Sequence, residues 1–514
     1  MESMTKPTRH NLILLVVSGL LLLTVSCVHP TPIPVYVTPT PQVEVTEEVA
    51  AAPTQELPTE APTVVAVLPT TAPATDQPTQ ELPSQTPAPV VTFRGPIIGP
   101  DYQLPPTQTP PPSATPTEGP SPTPPPDATV PGPQPTGVPT LDPGRMGIQL
   151  DINLSDEDWN EAMRRIKDDL NIGWVKVQMP WRDLQPNGPG SLDGTFARRI
   201  EQHLEDANQR GLNMLVSIVK APTWARSTQA EDGPPDDPQA LADFITLMLE
   251  EFSAGLARDM VGEYIDAIEI WNEPNLIREW QGTLPFSGAG YMRLFAPAYN
   301  AIRAYSPTMP IITAGLAPTG NTDGSIDDRT YLRQMYAAGL GNYGDVAIGI
   351  HPYGWGNAPD SVCCGTRGWD NDPHFFFADT VREYREIMTA SGHGNTRMWI
   401  TEIGWATWDG FPGEPPTGSE WMRFNDKWAQ ANYTMRAFEI VQSTDLMGPM
   451  FLWNLNFAIL AGMLENGDER AAYSLVIPGS AGQVQVGSTN HTERPLYWMI
   501  YDATRPDVQL ERYD

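Results

Sequence analysis

From residue 146 to the end of the chain, short apolar or β-branched runs alternate with longer amphipathic stretches, and this alternation limits the fold more than any other feature. The runs at 147–152, 174–179, 214–219, 267–271, 311–314, 346–351, 398–402 and 450–453 read as strands. Helical patterns lie between them at 156–170, 196–209, 238–257, 291–305, 330–338, 380–390 and 424–443. Ser155 opens the first helix with Asp158 three residues later, a capping pattern. Strand–helix alternation predicts a parallel sheet with right-handed crossovers. Eight strands, each with a helix or long excursion, fit a closed (β/α)8 (TIM) barrel better than an open sheet. No G-x-G-x-x-G or Walker-type loop follows an early strand, which removes the usual reasons to expect a nucleotide-binding sheet. A barrel of this kind carries its chemistry at the C-terminal ends of the strands.

The barrel occupies only the later part of the chain. Of the 56 prolines, 32 fall between residues 27 and 143, among many threonines and few aromatics. Such a stretch cannot bury enough apolar surface to offset chain entropy, so residues 28–143 read as a disordered Pro/Thr-rich linker and 144–514 as one catalytic-size domain. In polyproline II form, at about 3.1 Å per residue, the linker reaches a few hundred Å. A short apolar island at 90–104 has no assigned role. The net charge of −31 repels phosphate backbones, arguing against a nucleic-acid partner, and otherwise serves solubility.

Lys6 and Arg9 precede the apolar run 11–25, and Ser26 precedes Cys27, the layout of a secretory signal peptide over residues 1–27. Fifteen helical residues rise about 22 Å, short of the ~30 Å hydrocarbon core. Leu23-Thr24-Val25-Ser26-Cys27 resembles a bacterial lipobox, with Leu four places before the Cys where that pattern prefers three. The resemblance implies lipidation at Cys27, hence a membrane-anchored protein at the cell surface. A plain cleavable signal is the alternative, and secretion is expected in either case.

Two carboxylates fall at strand ends. Glu273 follows the fourth run in Trp271-Asn272-Glu273-Pro274-Asn275, where Pro274 cannot extend a ladder. Glu402 ends the seventh in Thr401-Glu402-Ile403-Gly404-Trp405. Both lie among Trp residues, and carboxylates beside apolar rings acquire separated proton affinities. That separation is what glycosidic cleavage uses. Glu269, inside the fourth strand, is expected to point into the barrel and pair with a base. Asp151 is expected to make a structural hydrogen bond.

On these residues the chain resembles the clan A glycoside hydrolases, the 4/7 superfamily, over roughly 144–514. Trp271-Asn272-Glu273-Pro274 is similar to family 39 and family 5 members, and Glu402-Ile403-Gly404-Trp405 to β-1,3-glucanases and galactanases. The resemblance implies a retaining O-glycosidase with Glu273 as acid/base and Glu402 as nucleophile. It places Asn272 on the sugar 2-hydroxyl, His351-Pro352-Tyr353 beside the nucleophile through the Tyr hydroxyl, and Trp453 beneath the sugar ring. Trp181 and Trp224, after the second and third strands, and Trp405, after the seventh, are further candidates for the cleft walls. The substrate is expected to be a β-linked polysaccharide or oligosaccharide.

No cofactor or metal is expected: the seven His form no H-x-H or H-E-x-x-H and no ligand-spaced cluster with Cys. Cys363-Cys364 reads either as a vicinal disulfide or as two thiols. Two other readings keep the barrel: a non-catalytic carbohydrate-binding adhesion protein, and an inverting or transglycosylating enzyme, transglycosylation using the same two carboxylates.

Overall fold

The computed structural model describes residues 138–228, 230, 232–252, 264–366, 370–411, 413–455, 469–477 and 492–506. The signal segment with Cys27, the linker up to residue 137 (its apolar island included), and the 253–257 end of the third expected helix lie outside these residues. Eight strands follow one another: β1 Met146–Leu150, β2 Trp174–Pro180, β3 Asn213–Val219, β4 Ala267–Ile270, β5 Ile311–Thr313, β6 Ile348–Ile350, β7 Met398–Ile403 and β8 Met447–Leu452. They pair in parallel in the order β5-β4-β3-β2-β1-β8-β7-β6. The two ends of that order meet through the bridges Ile312–Ala347 and Leu316–Ile350. Across this seam the Thr313 amide donates to the Ala347 carbonyl at 3.0 Å, and the Ala347 amide to Ile311 at 2.9 Å. The sheet closes on itself, giving the (β/α)8 barrel that the alternation predicts.

Each expected run forms a strand, with ends that differ by a few residues. The largest difference is at β8, which starts at Met447 where the pattern suggests 450. Pro449 lies inside it, and the pairing with β7 shifts register between Met398–Met447 and Ile400–Met450. A proline without an N–H, beside a shifted ladder, breaks the run that marks a strand. Nearly every strand residue is buried, because helices cover the outer face and side chains fill the inner one.

The helices start where short polar side chains satisfy their free amides. Ser155 accepts from the Asp158 amide at 3.1 Å and opens the helix Asp156–Arg164, which continues as a π-helical turn at Arg165–Asp169. Asp193, Asp237, Asp327 and Asp426 cap later helices in the same way. Ser287 starts the helix Gly288–Tyr305 three residues before its apolar periodicity becomes visible. Val138 packs against the core, and Leu141 is buried and donates to the Ala503 carbonyl at 3.0 Å. β9 (Val476–Ile477) and β10 (Thr492–Glu493) form a small antiparallel pair after the barrel. No helix among the described residues is long and apolar enough to cross a membrane.

Candidate active site

The C-terminal strand ends surround a cleft of about 880 Å³, lined by Asn272, Glu273, Tyr353, Glu402 and Trp453 among others. Three of its corners are built on backbone in the left-handed region: Lys220 after β3 (φ 60°), Trp271 and Glu273 after β4 (φ 75° and 39°), and Trp355 after β6 (φ 51°). Such conformations cost side-chain-bearing residues on the order of 1–3 kcal/mol each and gather where a fold has to aim a group.

Glu273 emerges just past β4, with its amide on the Gly315 carbonyl at 3.0 Å. Its Oε1 lies 3.1 Å from His351 Nδ1, and its Oε2 accepts from Arg278 Nη2 at 3.2 Å. His351 is fully buried, and its Nε2 is 3.0 Å from Thr401 Oγ1. Glu402 lies within β7. Its Oε1 accepts from Lys176 Nζ at 3.0 Å and its Oε2 from the Tyr353 hydroxyl at 3.3 Å; His351 Nδ1 stands 4.0 Å from that same Oε2. One ligand atom each from Glu273, His351 and Glu402 lie within 4.8 Å of one another.

Lys176 is the centre of charge beneath the cleft. It is completely buried on β2, 3.0 Å from Glu269 Oε2 and 3.0 Å from Glu402 Oε1. Burial pushes the Glu402 carboxyl up, but the charge of Lys176 and the hydrogen bonds from Lys176 and Tyr353 outweigh it and hold the group below its ordinary value. Burial lowers Lys176, and the two carboxylates more than reverse that, so it stays an ammonium. Glu269 also accepts the Gly315 amide at 3.1 Å, which completes the expected pairing of this residue with a base. Two further carboxyls line the cleft near Glu273. Burial raises Asp232 to about 6; burial followed by the charges of Glu273 and Asp232 raises Glu279 to about 7.

Where a cation could bind, positive charge from the chain is already in place. Beside Glu273, His351 and Glu402 it is the Lys176 ammonium. A second cluster of Asp327, Asp328 and His374 is bridged by Arg329, which holds both Asp328 oxygens at 2.8 Å.

Of the expected site residues, the structure brings Asn272, Glu273, His351, Tyr353, Glu402 and Trp453 together. Asn272 is buried, and its Oδ1 has no hydrogen-bond partner among the described residues. Trp453 follows β8 and packs T-shaped with Tyr353 and tilted against Tyr473. Three aromatic candidates do not line the cleft. Trp181 is fully buried, stacked on Phe244 at 5.1 Å, and its Nε1 donates to Gln185 Oε1 at 2.8 Å. Trp224 packs edge-on to Trp181 and donates to the Gln185 carbonyl at 2.7 Å. Trp405 is buried behind the loop after β6 and donates to the Asn357 carbonyl at 2.8 Å. Each places its indole N–H on a partner inside the protein, so these rings serve packing. Asp151 accepts the Asn153 amide at 2.9 Å, the structural bond expected of it. Cys363 and Cys364 are joined in a vicinal disulfide.

The family model for cellulase (glycosyl hydrolase family 5) matches residues 141–433, more than half of the chain, and spans both carboxylates. The chain belongs to glycosyl hydrolase family 5. It is a glycosidase built on the clan A barrel. Solved structures with similar folds include a family 39 glycoside hydrolase from Bacteroides cellulosilyticus WH2, at 16% identity and TM-score 0.49 over 71% of this chain, which spans 64% of that protein. A β-glucosidase from Exiguobacterium marinum is similar at 11% identity and TM-score 0.45, over 71% of this chain and 99% of the other. An exo-β-1,4-mannosidase from Opitutaceae bacterium strain TAV5 is similar at 14% identity and TM-score 0.43, over 70% and 59%. No curated protein matches the chain.

For this family 5 chain, sequence reasoning missed Lys176, Arg278 and Gly315. Lys176 had a signal: a lone cation in the apolar run Trp174-Val175-Lys176-Val177-Gln178-Met179, two residues before Gln178 and so on the same face. Gly315 had none, since its role is to leave room. A Cβ there would lie 2.2 Å from His351 Nε2 and 2.7 Å from Thr401 Oγ1.

Proposed function

We propose that this family 5 glycosidase is an exported retaining enzyme that cleaves β-linked polysaccharides or oligosaccharides by double displacement. The observation that carries the reading is the closeness of the two carboxyl groups, with oxygens of Glu273 and Glu402 within 4.8 Å of each other around His351. Retaining glycosidases hold these groups about 5–5.5 Å apart, whereas inverting ones leave room for water at about 6.5–9.5 Å.

In this reading ionised Glu402, held as a carboxylate by Lys176, attacks the anomeric carbon. Glu273 gives its proton to the departing oxygen as the glycosidic bond breaks. Glu273 then takes a proton from water, and the hydroxide oxygen displaces Glu402 from the sugar, restoring both groups. Asn272, which lines the cleft, hydrogen-bonds the sugar 2-hydroxyl in this reading, and Trp453 forms the floor under the ring. The signal-like N-terminus and the lipobox-like segment ending at Cys27 support export and a lipid anchor, with the Pro/Thr-rich stretch as a tether towards polymeric substrate.

The test is a screen on nitrophenyl β-glycosides, β-glucan, xylan, mannan and galactan, followed by Glu402→Ala on the best substrate. The variant is expected to lose at least about 10³-fold in kcat and to regain turnover with added azide, giving a glycosyl azide of inverted anomeric configuration. Near-normal turnover of Glu402→Ala without azide would overturn the assignment.

A further inference from the structure

The acid/base carboxyl has a second partner that a proton donor to a glycosidic oxygen cannot keep. Glu273 has two oxygens and both are engaged: Oε1 with His351 Nδ1, Oε2 with Arg278 Nη2. His351 cannot withdraw, because it is fully buried and tied to Thr401. Arg278 can. Its side chain is 70% exposed at the mouth of the cleft, five residues after Glu273 on the same loop. A second carboxylate lies within its reach, with Glu279 Oε1 3.3 Å from Arg278 Nε. To protonate a leaving oxygen, Glu273 must turn one oxygen towards it, and only Oε2 can be released.

We propose that Arg278 is the leaving-group-side specificity residue of this enzyme: it gives up Glu273 Oε2 when the departing sugar enters, stays on Glu279, and donates its freed N–H groups to that sugar's hydroxyls. The inference rests on the glycosidase reading above and adds a residue that the reading does not use. A guanidinium suits the role. Its five donors in a planar fork let Nε remain on Glu279 while the Nη groups exchange a carboxylate for vicinal hydroxyls. Glu279 is suited to be the resting partner, since it is half-buried, lines the cleft and already accepts from Arg278 Nε. Only the Arg278 end of this pair is exposed, 70% against 12% for Glu273, so the guanidinium leaves into water and onto Glu279 and no buried charge is stranded on its side.

The experiment compares two substrates that share one glycone and differ in what leaves. One is a trisaccharide, whose departing unit is a sugar; the other is the 4-nitrophenyl glycoside of the matching disaccharide, whose departing unit offers no vicinal hydroxyls. The pair is taken from whichever of the gluco, xylo, manno or galacto series the wild type cleaves. Arg278→Ala is expected to lower kcat/KM on the trisaccharide at least about tenfold more than on the nitrophenyl glycoside, and Arg278→Lys to recover part of that difference. Equal losses on both substrates, or a larger loss on the nitrophenyl glycoside, would overturn the proposal even if the variant were destabilised, because a folding defect lowers both alike. If the wild type cleaves no pair in any series, the glycosidase reading itself fails and this inference falls with it.

Discussion

At the scale of single residues, the most consequential contact is one that ties catalysis to folding. Lys176 sets one positive charge between Glu269 and Glu402 where none of the three has appreciable access to water. In the proposed mechanism Glu402 attacks as a carboxylate, and its lowered pKa keeps it ionised as the pH falls into the ordinary carboxyl range. Its ionised form also contributes stability above the unfolded-state value of about 4.3, and that contribution disappears as pH falls through the lower folded value. Lys176→Met removes both effects. Burial is then opposed only by His351 and the Tyr353 hydrogen bond, so Glu402 rises and the acid limb of the kcat/KM profile moves to higher pH, with a loss of about tenfold or more at pH 5. Two buried carboxylates without a cation should also cost about 3–5 kcal/mol of stability, readable as a lower denaturation midpoint. An unmoved acid limb would show that Lys176 does not set the charge of Glu402. The two carboxylates were legible in the sequence because a strand end followed by proline or glycine marks a rim position. Lys176 was less so, since a lysine in a strand is usually a solvated one.

At the scale of elements, the barrel was legible because its signal is repeated eight times and a mistaken end in one run does not alter the count. Strand ends were less clear where the backbone departs from regular pairing, as at Pro449 in β8. Which aromatic faces the cleft was legible only where the family resemblance supplied it, at Tyr353 and Trp453. Trp181, Trp405 and Trp453 all follow strands, yet only Trp453 lines the cleft, and the difference lies in how each loop turns after its strand. The close approach of β5, β6 and β7 makes a sharper prediction. Gly315, just past β5, receives His351 from β6 and Thr401 from β7 with no space for a methyl group. Gly315→Ala should push the imidazole away from Glu273 Oε1 and lower kcat on the order of 100-fold, the usual consequence of a displacement near 1 Å in a reacting constellation. The clashing atoms belong to side chains, so the barrel should still form, with unchanged far-ultraviolet circular dichroism. Wild-type kcat in this variant would mean that the contact of His351 with Glu273 is dispensable.

At the scale of the whole molecule, the question is how much of the chain the barrel needs. Two groups tie the start of β1 to the closing elements: Leu141, whose amide donates to the Ala503 carbonyl, and Arg145, whose guanidinium donates to the carbonyls of Val441, Thr444 and Met447 at 2.8 Å each. Those last carbonyls surround the end of the helix Lys427–Gln442 and the start of β8, so one cation satisfies several free acceptors at the seam with β1. Every one of these contacts lies after residue 140. A chain that starts at 138 should therefore match the full chain in melting temperature to within about 2 °C and in kcat/KM on a soluble nitrophenyl glycoside, a ΔΔG well under 1 kcal/mol. The same truncation removes Cys27 and the tether. If these act as proposed, the full chain expressed in a bacterial host should fractionate with membranes and carry a lipid on an N-terminal Cys27 by mass spectrometry, while Cys27→Ala and the truncated chain should not. A mature N-terminus beyond Cys27, without lipid, would leave export and remove the anchor. A lower melting temperature for the truncated chain would show that the barrel leans on residues before 138.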